Sequence, residues 1–140
     1  MTAKEYLKQY KLIMYQIENL EREIEELEEQ ITSVKSTLGD GMPKSTSTTS
    51  NTERLVPLLV DKKRRKKELK IEAEWRKLHI EDVIDRVPDP IYSRLLWDRY
   101  IRLYTWEKIT EDLEYNAVQY VRQALHNKAL EAVDEIICIS

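Results

Sequence analysis

Ten apolar positions constrain the first third of this chain. Tyr6, Tyr10, Ile13, Ile17, Leu20, Ile24, Leu27, Ile31, Val34 and Leu38 follow one another at alternating steps of four and three. This is a heptad repeat, with Ile mostly at a and Leu or Val mostly at d. A stripe so narrow suits a coiled-coil seam better than the broad buried face of a globular helix. The residue choice leans toward a two-stranded parallel partner, although the seam fixes neither strand number nor direction, and a homodimer through residues 1–38 is the expectation.

Composition extends the helical reading to the rest of the chain. Only 2 Gly and 4 Pro interrupt 140 residues, and 35 % of the side chains are charged. Straight-chain residues of this kind lose little rotamer freedom in a helix. The expected fold class is all-α, with long N-terminal coiled-coil helices followed by a compact C-terminal domain. The segment GDGMPKSTSTTSNT has almost nothing to bury, so residues 39–54 are read as a flexible linker. A second long helix is expected over 55–87, with Pro57 in its first turn and the prolines of VPDP ending it.

That second helix carries DKKRRKKELK, with seven basic side chains in ten, in a chain of net charge −3. Folding the first helix back around a loop centred near residue 45 sets the acidic block EREIEELEE at 21–29 against the basic run. Opposite charge on facing helices sets register, and this structural reading ranks first. The competing readings are phosphate contacts by Lys62, Lys63, Arg64, Arg65, Lys66 and Lys67, and an address signal. In the hairpin, Ile24 and Leu27 face only Lys and Arg stems, which is a further reason to expect a second chain.

Residues 88–140 change character. Asp89 with Pro90 reads as a cap and first helical residue, and Leu95, Leu96, Tyr100 and Ile101 line one side of the helix that follows. Thr105 caps a short helix that turns Trp106, Ile109 and Leu113 inward. A tight turn at Glu114-Tyr115 leads to Asn116, read as the cap of a longer helix with a Val118, Val121, Leu125, Ala129, Ala132, Ile136 stripe. A short helix, a four-residue turn and a longer helix form a helix-turn-helix, whose last helix enters a major groove.

The stretch LLWDRYIRLYTWEKITEDLEYNAVQYVRQALHNKAL resembles region 4 of sigma-70-type sigma factors. It is more similar still to small phage-encoded regulators of the RinA-like and ArpU-like kind. Arg99-Tyr100-Ile101, Thr105-Trp106, Ile109, Leu113, Tyr115-Asn116 and Lys128-Ala129-Leu130 carry the resemblance. Glu114 stands where a glycine is usual, and the spacing from cap to Lys128 is one residue longer. The resemblance implies a sequence-specific, transcription-regulating domain that binds double-stranded DNA.

Helical periodicity of about 100° per residue turns Asn116, Gln119, Tyr120, Gln123, His126 and Asn127 away from the apolar stripe, with Arg122 flanking it. Asn and Gln pair with adenine edges, so Asn116, Gln119, Tyr120, Arg122, Gln123 and Asn127 are the candidate readers, and Lys108 and Lys128 candidate phosphate contacts. The domain holds six basic against nine acidic residues, so one copy is expected to bind weakly. RNA polymerase is a candidate partner that would tether it. Other readings are a non-catalytic interaction scaffold and an adaptor resembling a small terminase subunit.

No metal, cofactor or enzyme chemistry is expected: two histidines and one cysteine, Cys138, form no ligand or nucleophile set. Trp75, Trp97 and Trp106 are read as core. The absence of a signal-like or membrane-spanning apolar run predicts a soluble, cytoplasmic chain.

Overall fold

The computed structural model describes the backbone of residues 1–38 and 46–139, and the side chains of residues 1–33 and 52–138. The described residues are all-α: α1 (Ala3–Leu38), α2 (Thr46–Asp85), α3 (Pro90–Tyr100), α4 (Trp106–Asp112), α5 (Val118–Tyr120), a π-helical turn (Val121–Leu125) and α6 (His126–Ile139). Of the expected linker, residues 39–45 lie outside the described residues, as do the side chains of Val34 and Leu38. The remainder, from Thr46, belongs to α2. Ser and Thr are only mildly poor helix formers, and extending an existing helix is far cheaper than nucleating one. Pro57 is therefore interior to α2 rather than in its first turn.

Two compact units divide the chain, Met1–Ile13 with Ala73–Ser140, and Met14–Glu72. Both long helices contribute to each. In the unit Met14–Glu72, Lys62 pairs with Glu23 at 3.0 Å and Lys66 with Glu21 at 3.9 Å. One residue number rises as its partner's falls, which marks the helices here as antiparallel. The register is tighter than expected, because α1 ends at Leu38 and α2 begins at Thr46, which moves their midpoint toward residue 42. Ile24 shares a recess with Lys63, Lys66, Lys67 and Lys70 and is only 6 % exposed. The aliphatic stems of the lysines cover it while their ammonium groups stay in water. Ile17, Ile24, Ile31, Leu55 and Leu69 are buried, while Leu20 and Leu27 of the seam are half-buried. Leu58 is exposed.

The other unit is the larger core. Leu7, Ile80, Ile84, Leu95, Leu96, Ile109, Val121 and Val133 are each under 2 % exposed. Ala3 continues the heptad seam one step back, while Leu7 lies beside it, so the buried face widens near the start of α1 into a globular one. Thr2 and Glu5 form a capping box: Thr2 Oγ1 accepts from the Glu5 amide at 3.2 Å and Glu5 Oε2 from the Thr2 amide at 3.0 Å. Asp134 of α6 takes a further amide, that of Ala3, at 3.0 Å. These bonds pin the first turn of α1 to α6. Trp75, expected in the core, is 53 % exposed beside His79 and Arg76.

Candidate nucleic-acid interface

The site is built from α3 upward. Asp89 caps α3, its Oδ1 accepting from the Ile91 and Tyr92 amides. Arg94 then forks onto Asp112 of α4, with both nitrogens 2.9 Å from carboxylate oxygens. Asp98, fully buried, accepts from Arg102 through Oδ1, while its Oδ2 has no partner among the described residues. Burial, reinforced by the Asp112 carboxylate, pushes the Asp98 carboxyl up to about 6.

Thr105 caps α4 by accepting from the Lys108 amide at 3.2 Å. The end of α4 is a Schellman turn: Tyr115 N–H reaches the Thr110 carbonyl at 3.0 Å and Glu114 N–H the Glu111 carbonyl at 3.1 Å. The turn needs a left-handed residue, and Glu114 supplies it at φ 63°. Because Tyr115 N–H is committed to this turn, the next helix starts late. Ala117, extended, precedes α5 with no side-chain cap bond, so Asn116 is not the cap expected of it. It stands exposed in the bend.

The π turn resets the periodicity of the helix that follows. The His126 amide bonds the Val121 carbonyl, five residues back. Such a turn takes more residues, so each residue advances less than in an α-helix. The buried stripe becomes Val121, Leu125, Ala129 and Val133, while Val118, Ala132 and Ile136 are only half-buried. His126 is carried from the expected outer face to the interior, where it is 6 % exposed. Its Nε2 lies 2.6 Å from the Tyr100 hydroxyl, and Trp106 meets its ring edge-on at 4.7 Å. Burial, and the charges of Lys4, Arg99 and Lys8, push its pKa down to about 4.

Asn116, Gln119, Tyr120, Arg122, Gln123 and Asn127 are all exposed, and the last three line one cleft of about 260 Å³. Tyr100, Trp106 and His126 also line it, as do three cations that the candidate list omits, Lys4, Lys8 and Arg99. No acidic side chain is among the lining residues. Arg99 is held in place: it donates to the Tyr104 carbonyl at 3.1 Å and stacks over Trp106 at 4.5 Å. No local signal flags Lys4 and Lys8, since only the packing of α1 brings them here. Lys108 sits 4.0 Å over the Tyr104 ring, and Lys128 is exposed on α6. In the basic run, Arg64 pairs with Asp61 and Arg65 with Glu68, so with Lys62 and Lys66 four of its cations already face carboxylates. Lys63 and Lys67 carry no ion pair among the described residues.

Comparison with family models, with curated proteins and with solved structures finds no match. Among the described residues no group of His, Cys, Asp and Glu could hold a metal, and no helix is long and apolar enough to cross a membrane.

Proposed function

We propose that this chain is a DNA-binding regulator, similar in its C-terminal unit to region 4 of sigma factors and to small phage regulators. The helical run from Val118 is its probe of the major groove. One observation carries the reading. A short capped helix, α4, turns through Glu114 into a second helical run whose exposed side presents Gln119, Gln123 and Asn127 at steps of four, with Arg122 beside them. Amide side chains in such a row can bond base edges, and Arg122 can reach guanine or a phosphate. The extra residue between the cap and Lys128-Ala129-Leu130 has a physical place, because the π turn absorbs one residue without breaking the helix.

A mobility-shift titration of duplex DNA over a salt series tests the reading. Affinity should fall steeply with salt, by roughly 0.9 in log K per log salt for each phosphate contacted. Loss of any shift at low salt would reject it. A second reading, a non-catalytic docking module for a protein such as RNA polymerase, draws support from Trp75 and Leu78, which are 53 % and 63 % exposed. It requires no shift with DNA at any salt.

A further inference from the structure

We infer that Lys4 and Lys8, on the first turns of α1, join Arg99 and Arg122 to grip one backbone phosphate of the DNA, in the cleft floored by His126. The inference rests on the DNA-binding reading and adds a site that lies off the base-reading row.

Four cations from three separate parts of the fold line this cleft, and none of them has a carboxylate partner among the described residues. Elsewhere the chain pairs its charges freely: Lys62, Arg64, Arg65, Lys66, Lys77, Arg86, Arg94 and Arg102 each face an acid. Like charges gathered without a counterion repel one another, and an anion seated among them reverses the sign of that interaction. Arg99 is already fixed by Trp106 and the Tyr104 carbonyl, so its fork needs little ordering to meet phosphate oxygens. The roughly 30 Å³ occupied by a water leaves room in a 260 Å³ cleft for a phosphate group and its neighbours. Gln123 and Asn127 line the same cleft, which makes it continuous with the proposed base-reading row. That continuity favours a DNA phosphate over an acidic peptide. It also gives the poorly charged C-terminal segment the phosphate contacts it lacks.

The chain holds only two histidines, so the ring signals of His126 in a nitrogen-labelled sample are resolvable from those of His79. Three probes are titrated separately: a twelve-base-pair duplex, inorganic phosphate and a hexaglutamate peptide. The expected result is that the duplex shifts His126 at the lowest concentration, that K4Q/K8Q loses this response and that K4R/K8R keeps it. The same K4Q/K8Q pair should lower the salt slope of duplex binding by up to about 0.9, the share of the one phosphate gripped, without changing base preference. If wild-type protein binds the duplex but K4Q/K8Q binds with unchanged salt slope, the cleft is not a phosphate grip, although the DNA reading stands. If phosphate or hexaglutamate shifts His126 and the duplex binds nowhere, both fail. The cleft is then an anion site of another kind.

Discussion

The Tyr100 hydroxyl stands 2.6 Å from His126 Nε2, joining α3 to the start of α6 across the interior of the C-terminal unit. The hydroxyl and the ring nitrogen share one hydrogen bond, and burial holds the imidazole pKa down to about 4, so His126 is neutral near pH 7.

Neutrality has a pH consequence with a definite sign. The His126 pKa is about 4 when folded, against 6.5 unfolded. The unfolded chain therefore binds the extra proton as pH falls between these values, and stability drops by up to about 3 kcal/mol. Asp98 acts in the opposite sense. Its pKa rises to about 6 from 3.8, so the folded chain takes up a proton as pH falls and stability gains. The two partly cancel between pH 6 and pH 4. Urea unfolding of Asp98→Asn should show a steeper acid loss than wild type, and His126→Gln a shallower one. Equal slopes in all three would reject the assignment.

Glu114 carries a left-handed backbone at the end of α4, where most L-residues pay about 1–2 kcal/mol. Glu114→Gly should therefore raise stability by about 1 kcal/mol, while Glu114→Ala, which keeps the strain and removes the charge, should not. Thermal denaturation separates the two. A loss of stability in the glycine variant would show that the Glu114 side chain makes a contact more valuable than the relief.

Ile24 is buried and opens onto a recess lined by the stems of Lys63, Lys66, Lys67 and Lys70. Flexible stems can settle into a void, so Ile24→Ala should cost about 2 kcal/mol, at the low end for such a truncation. Ile109, wholly buried in the other unit, should cost about 3–4 kcal/mol on the same change. Removing Lys62 and Lys66 together should cost under about 1 kcal/mol, because both pairs are substantially solvated.

Local chemistry was readable directly from the chain. Asp89-Pro90 and Thr105 cap the helices they were expected to cap, because those signals act within one turn. The all-α class followed from periodicity and scarce breakers. The turn near Tyr115 was also legible, even without its usual glycine. Features set by geometry several turns away were not. His126 was placed outside by counting 100° per residue, and a π turn has no such count. Asn116 lost its capping role to a turn whose hydrogen bonds were unreadable in advance. Lys4 and Lys8 reach the cleft through the packing of α1 into this unit, where Leu7, off the regular seam, is buried beside Ala3 and Tyr10. The Thr2–Glu5 capping box was present in the letters and bears on the same point.

The most direct test is selection from a pool of randomised duplexes by wild-type protein and by Gln123→Ala at one fixed salt concentration. Wild type should enrich one short sequence, and the variant should lose discrimination at a single base pair by roughly ten-fold or more, the effect of one bidentate contact. An unenriched pool, or an unchanged preference in the variant, would contradict the claim that the helical run from Val118 reads DNA.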